Sequence, residues 1–254
     1  MCKSAFKKAF GSAAASLESY YVRLADQQQK AGQEAGSYFA APLIFDDAYM
    51  KAAALDMKTA VTNGALTPEQ RLRVEGAASA FRMLQLYLDW NAAMNRFSFK
   101  AADELGQAMQ DNYDQMLAAN NHFTGREPGV YIQRLLRNSS TEALKYATAP
   151  YQIIYKIPDE LPTLLDPNNS GDRANIFGEQ INYERWIRTK TFSSTWDAQG
   201  LLFQRQGSVW YRTRFPVAAE LKAGGIGLLL SAFEDEARVW LNGKYVGSSG
   251  IKYP

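Results

Sequence analysis

Apolar residues in the first half of the chain recur at intervals of three and four, the spacing that places them on one face of an α-helix. One such run predicts a helix over residues 4–33. A second run follows Asp46 and Asp47, which are suited to an N-cap and an acidic first turn, and Asn63-Gly64 predicts its end.

The sequence TPEQ at residues 67–70 predicts a third helix that begins with a capping box, in which the threonine and glutamine side chains bond to each other's backbone N–H. A fourth helix is predicted around Leu105 and Met109, and a shorter pair over residues 130–147. The first half is therefore expected to be a helical domain.

Beyond Pro150 the pattern changes from helical spacing to short runs that are rich in aromatic and β-branched residues. Prolines at 158, 162 and 167 interrupt the chain, and Asn242-Gly243 is the dipeptide favoured by a two-residue type I′ hairpin. Short strands are predicted at residues 186–192, 207–215, 227–231 and 236–241.

These patterns predict an α+β multidomain protein: an α-helical domain at residues 1–150, then an incomplete antiparallel β-sandwich at residues 151–254. The chain stops soon after a strand-turn-strand pattern, so the sandwich is expected to be truncated at its C-terminal end.

Composition excludes several function classes. Lys and Arg number 28 against 26 Asp and Glu, so there is no strong positive field for nucleic acid. No apolar stretch approaches the roughly 20 residues of a membrane span. Cys2 is the single cysteine and His122 the single histidine, so neither a disulfide nor a histidine-based metal site is expected. We expect no cofactor, metal, nucleic acid or membrane partner.

Three segments of the second half resemble the sugar-binding jelly-roll domain of family-two glycosidases such as β-galactosidases. They are WDAQG at 196–200, WYRTRFPV at 210–217 and FEDEARVWLNGKYVG at 233–247, and LLDPNNSG at 164–171 is similar to the segment that leads into that domain. The resemblance implies a galactose-binding-like jelly roll and a carbohydrate partner.

The helical half is similar to the region that follows the catalytic barrel in proteins related to α-glucuronidases, notably in FGSAA at 10–14, Tyr20-Tyr21 and residues 73–75. Together the two resemblances imply the C-terminal part of a glycoside-hydrolase-like protein, with a catalytic barrel before residue 1 as a further partner. The parent protein would be secreted or periplasmic. Because residues 1–18 lack the apolar run of a signal peptide, the sequence leaves localisation open.

No catalytic centre is predicted in this chain. Glycoside hydrolysis uses two carboxylates across a sugar cleft, whereas Asp46 and Asp47 fit helix capping. The acids Glu234, Asp235 and Glu236 begin a predicted strand, where they would pair with Arg212, Arg214 or Arg238 or accept hydrogen bonds from sugar hydroxyls.

Aromatic residues provide the best binding candidates, because a sugar presents an apolar C–H face to a ring and polar edges to amides and carboxylates. Trp196 lies beside Asp197 and Gln199 in a predicted loop, and its ring is equally suited to a sugar or to packing. Trp210 is expected to pack in the sandwich. Trp240 is expected to alternate with Arg238 along its strand and so to face the core. The candidate carbohydrate contacts are Trp196, Asp197, Gln199, Arg212, Glu234 and Asp235.

The sequence therefore favours a non-catalytic part of a carbohydrate-active protein, in which the β-sandwich binds carbohydrate or supports the barrel. The helices would pack against that barrel through an exposed apolar face. The alternative is a stand-alone interaction or lectin-like protein without an associated hydrolase. A fold resemblance alone cannot name a ligand.

Overall fold

The computed structural model describes residues 3–32, 40–120, 132–178, 180–191, 196, 199–201, 207–219, 225, 227–229 and 236–250. The chain divides into two compact units, Met1–Tyr151 and Gln152–Pro254. The first unit is helical, and the second carries small antiparallel sheets. The predicted α+β class is confirmed.

Seven α-helices are described in the first unit, together with a 3₁₀ turn at Gly11–Ala13 and a π-helical segment at Ile132–Arg137. The helices are α1 (Lys3–Phe10), α2 (Ala14–Ala31), α3 (Ala41–Ile44), α4 (Asp47–Val61), α5 (Pro68–Asn95), α6 (Phe99–Ala119) and α7 (Asn138–Tyr146).

Side-chain caps determine where α4 and α5 begin. Asp46 Oδ1 accepts a hydrogen bond from Tyr49 N over 2.8 Å. Thr67 Oγ1 accepts from Gln70 N over 3.3 Å, while Gln70 Oε1 accepts from Thr67 N over 3.1 Å. These bonds satisfy N–H groups that the first turn leaves without a helical partner. The predicted N-cap and the predicted capping box are both confirmed.

The prediction of one continuous helix over residues 4–33 is wrong. Gly11 has a φ of +53°, which places it in the left-handed region and ends α1 before α2 begins. A Cβ at Gly11 would lie 2.3 Å from Gln70 Oε1. The break therefore lies where the start of α5 approaches the N-terminal segment, a contact that apolar spacing does not reveal.

Two buried clusters form the core of the helical unit. One surrounds Leu17, Ala53 and Val74, and the other contains Tyr87 and Met109. Large hydrophobic side chains that remain exposed in the described part of this unit are Val22, Leu55, Val61, Tyr146 and Tyr151. None of the described helices is both long and apolar enough to cross a membrane.

The second unit contains two small antiparallel sheets in its described part. Strands β1 (Glu160–Asp166), β2 (Ile187–Lys190) and β3 (Ser208–Tyr211) form one sheet in the order β2-β1-β3. Strands β4 (Glu236–Leu241) and β5 (Lys244–Gly250) form a hairpin. The predicted strands at 186–192 and 207–215 are present but shorter, and residues 227–229 of the predicted strand at 227–231 are not in a strand.

The hairpin at Asn242-Gly243 is confirmed. Asn242 has a φ of 49° and Gly243 a φ of 75°, as a type I′ turn requires. The two-residue turn pairs Trp240 with Tyr245. Beyond it, a β-bulge shifts the register by one residue and brings Ser248 opposite Arg238.

The sequence did not predict the central strand β1, because it contains Pro162 and proline removes a donor from a ladder. Thr191 N donates to Asp159 O over 2.9 Å, so alternation along the antiparallel pair leaves Pro162 opposite Arg188 as a non-hydrogen-bonded pair. The Pro162 carbonyl accepts from Arg212 N on the other side of β1. The missing N–H therefore removes no bond between β1 and β2.

Candidate functional site

The sheet formed by β1, β2 and β3 has two chemically different faces. Leu164 is opposite Trp210 in the register of β1 and β3, and Thr163 is opposite Tyr211. Because neighbouring residues in a strand point to opposite faces, Trp210 and Tyr211 lie on different sides of the sheet. One face therefore carries Trp210, and the other carries Tyr211, which contacts Trp196.

On the first face, the buried carboxylate of Asp166 accepts four hydrogen bonds. The donors are Ser170 N at 2.9 Å, Ser170 Oγ at 3.0 Å, Gly171 N at 2.7 Å and Trp210 Nε1 at 3.1 Å. Burial by itself would raise the pKa of Asp166, but these hydrogen bonds outweigh it and hold that pKa below its ordinary value. The carboxylate thereby ties the end of β1 to the following loop and to β3.

Gly171 allows this loop to lie against the indole of Trp210. A Cβ at Gly171 would meet Nε1, Cε2 and Cζ2 of that ring at 2.3 to 2.5 Å. Any side chain here would displace the ring or the loop. In the segment LLDPNNSG, Asp166 and Gly171 therefore have structural roles.

Trp210 in turn contacts Trp240 of the hairpin. The two ring centroids are 5.1 Å apart, and Trp240 also stacks on Phe177 at 5.3 Å with an interplanar angle of 6°. Tyr245 meets Trp240 edge-on at 5.5 Å. Aromatic packing therefore joins the three-stranded sheet to the hairpin. Trp210 and Trp240 make packing contacts as expected, but both residues are only partly buried, so neither is the fully buried core residue that the sequence favoured.

A charged group lies next to this aromatic cluster. Arg238 donates to both carboxylate oxygens of Glu236, from Nε at 2.9 Å and from Nη2 at 3.3 Å. Its Nη1 donates to Asp172 Oδ2 at 3.3 Å. The expected pairing of an acid at this strand start with an arginine is confirmed for Glu236 and Arg238.

These residues surround an open pocket of about 390 Å³, which we call the Trp240 pocket. Glu236, Arg238 and Trp240 are spaced by two and share one face of β4, so the reading of Trp240 as alternating with Arg238 is wrong. The pocket is lined by Asp172, Phe177, Glu236, Arg238, Trp240, Tyr245 and Ser248.

Trp196, the leading sequence candidate, lies apart from the Trp240 pocket residues. Its side chain is 40% exposed, and its Nε1 donates to Tyr211 Oη over 2.6 Å. Burial raises the pKa of the Tyr211 hydroxyl, while hydrogen bonds from Trp196 and Thr189 oppose that rise. The indole of Trp196 is therefore held in place by a residue on the second face of the sheet.

Gln199 bonds to the backbone at the end of β2. Its Oε1 accepts from Lys190 N over 2.6 Å, and its Nε2 donates to Lys190 O over 2.9 Å. The amide thus pairs with one residue as a neighbouring strand would. This geometry favours a structural role for Gln199.

Arg212 does not line the Trp240 pocket. Its Nη1 donates to Ile176 O over 3.3 Å, and its guanidinium carbon lies 5.3 Å from the centre of the Tyr183 ring. Arg214 approaches the same ring at 5.6 Å. These are cation–π distances, so both arginines contribute to packing around Tyr183.

The remaining sequence candidates, Asp197, Glu234 and Asp235, lie outside the described residues, as do Cys2 and His122. Within the described ranges, no group of three or more His, Cys, Asp or Glu side chains is arranged to hold a metal ion.

Comparison with known proteins found no relative: no family model, no curated protein and no solved structure matches the chain. The site must be interpreted from its own chemistry.

None of the sequence candidates that the structure describes lines the Trp240 pocket. Four of the pocket residues were not considered at all, although one of them could have been found. The Asn242-Gly243 turn places Tyr245 opposite Trp240 by simple counting. No local signal marks Asp172 or Phe177, which reach the pocket from a loop, and Ser248 depends on the bulge.

Proposed function

We propose that the unit of residues 152–254 is a non-catalytic carbohydrate-binding module of galactose-binding-like jelly-roll type, and that it is part of a glycoside-hydrolase-like protein. The Trp240 pocket is its proposed binding site. The packing of Trp210 on Trp240, which joins a sheet to a hairpin, supports the two-layered arrangement that such a sandwich requires.

One observation carries the proposal. An exposed aromatic ring, a guanidinium, two carboxylates and a hydroxyl converge on one pocket whose volume lies within the usual range for small-molecule sites, about 300–1,000 Å³. Tyr245 is 55% exposed and offers a ring to the C–H face of a sugar. Arg238 can donate to hydroxyl oxygens, and Asp172 and Glu236 can accept from hydroxyl groups.

The pocket favours binding over hydrolysis. A glycosidase needs one carboxyl group that donates a proton to the leaving oxygen. Asp172 and Glu236 both form ion pairs with Arg238, an arrangement suited to carboxylates that accept hydrogen bonds. In this proposal any catalysis belongs to a barrel of the parent protein, against which the helical unit packs.

The experiment that tests the proposal is retention of the purified protein on a panel of neutral and acidic polysaccharides. Tyr245→Ala should reduce retention about tenfold, because it removes the most exposed ring of the pocket. Val246→Ala is the matched control: Val246 is 58% exposed on the same strand but does not line the pocket, so retention should be unchanged.

A third variant, Trp196→Ala, should still be retained on the polysaccharide, because Trp196 does not line the pocket. Loss of retention in Trp196→Ala but not in Tyr245→Ala would move the site to the Trp196–Tyr211 side of the sheet. Failure of the folded protein to bind any polysaccharide would overturn the proposed function.

A further inference from the structure

We infer that the Trp240 pocket selects neutral sugars and rejects sugars that carry a carboxylate. This inference rests on the proposed function and concerns the class of ligand for the same pocket.

Among the described residues that line the pocket, the charged side chains are two carboxylates, Asp172 and Glu236, and one guanidinium, Arg238. Their sum is a net charge of −1. A hexuronate brought into the pocket adds a third carboxylate to this group, whereas a neutral sugar adds no charge. Coulomb repulsion therefore disfavours the acidic ligand.

Arg238 is already shared between two protein carboxylates. Three of its nitrogens, Nε, Nη1 and Nη2, donate to Glu236 and Asp172. A ligand carboxylate that accepted from the remaining N–H groups of Arg238 would lie beside the carboxylates of Glu236 and Asp172, which repel it. Sites that recognise carboxylates instead offer arginine in a bidentate geometry to the ligand.

Neutral hydroxyl groups suit the same arrangement without displacing any ion pair. A hydroxyl donates one hydrogen bond and accepts two, so adjacent sugar hydroxyls can donate to a carboxylate and accept from the guanidinium. Arginine has five N–H groups, and the ion pairs of Arg238 with Glu236 and Asp172 use three of them. Ser248 adds a hydroxyl to the lining.

The predicted discrimination is moderate, because Arg238 and Asp172 are exposed and water screens their charges. We expect a hexuronate to bind about tenfold more weakly than the matching neutral sugar at low ionic strength. The difference should shrink as salt is added, because the screening length falls from about 30 Å at about 0.01 M to about 3 Å at about 1 M.

The test uses one neutral polysaccharide retained by the protein and the same polymer oxidised at C6 to hexuronate. Affinity for both is measured at low and at high salt. Glu236→Gln and Asp172→Asn each remove one negative charge, and each should raise the affinity for the oxidised polymer relative to the neutral one by several-fold.

Glu160→Gln is the matched control. Glu160 is also an exposed carboxylate in an ion pair with an arginine of the same unit, Arg188, but it does not line the pocket. It should leave the ratio of the two affinities unchanged. Tryptophan fluorescence of each variant establishes that the unit is folded.

The outcomes separate the two proposals. Equal or tighter binding of the oxidised polymer, or an unchanged ratio in both pocket variants, would overturn the inference of neutral selectivity while leaving carbohydrate binding intact. Absence of binding to any polysaccharide would overturn both.

Discussion

Trp210 Nε1 donates a hydrogen bond to Asp166 Oδ2 over 3.1 Å, and this bond links β3 to the end of β1. The Trp210 ring also lies against Gly171 and packs on Trp240. The buried carboxylate of Asp166 therefore holds the ring of Trp210 in place. Trp240, which lines the pocket, packs on that ring. Asp166 and Trp210 are positioning residues, and their effect on binding would be indirect.

Asp166→Asn should destabilise the second unit by about 1–3 kcal/mol. The amide that replaces one carboxylate oxygen cannot accept a hydrogen bond, so at least one of the donors around it is left unsatisfied. Denaturant unfolding followed by tryptophan fluorescence measures the loss, because four of the five tryptophans lie in this unit. Glu160→Gln, at an exposed ion pair, serves as control. Equal stability of Asp166→Asn and wild type would contradict the role assigned to Asp166.

The stability contributed by Asp166 should depend on pH. Its folded-state pKa is below the ordinary value of 3.8, so the contribution is complete above that value and is lost as pH falls through the folded pKa. The difference in free energy of unfolding between wild type and Asp166→Asn should therefore shrink between about pH 5 and about pH 2. A difference in free energy of unfolding that stays constant over that pH interval would rule the prediction out.

Gly11→Ala should cost more stability than Gly32→Ala in the helical unit. Both glycines have positive φ, and an alanine in the left-handed region costs about 1 kcal/mol at either position. At Gly11 the new Cβ also meets Gln70 Oε1, whereas no described atom lies within 4 Å at Gly32.

Because Gln70 is part of the capping box of α5, its displacement should add about 1 kcal/mol to the cost at Gly11. Thermal unfolding followed by the helical circular dichroism signal compares the two variants. An equal loss of stability in Gly11→Ala and Gly32→Ala would show that the Gln70 side chain moves aside without an energetic cost.

Gln199→Ala should lower stability and leave carbohydrate affinity unchanged. The variant removes two hydrogen bonds to Lys190, which together contribute about 1–3 kcal/mol. A variant with normal stability and reduced retention would instead support the sugar contact that the sequence suggested for Gln199.

The sequence by itself determined the features that depend on residues close together in the chain. Asp46, Thr67 and Gln70 specify helix starts because a cap needs a side chain and an N–H within one turn. Asn242-Gly243 specifies the hairpin because both residues tolerate positive φ, and that turn also fixes Trp240 opposite Tyr245. For these, apolar spacing and turn chemistry are sufficient.

Tertiary structure decided where the chain departs from its local pattern and where the pocket forms. Gly11 breaks an apparently continuous helix at the point where Gln70 lies close to it. Pro162 fits a central strand because it is in a non-hydrogen-bonded pair with β2 and lies just beyond the residues that pair with β3. The Trp240 pocket joins Asp172 and Phe177 to β4 and β5, which follow about sixty residues later in the chain. Periodicity reports only which side of one element is apolar, whereas a pocket depends on which elements pack together.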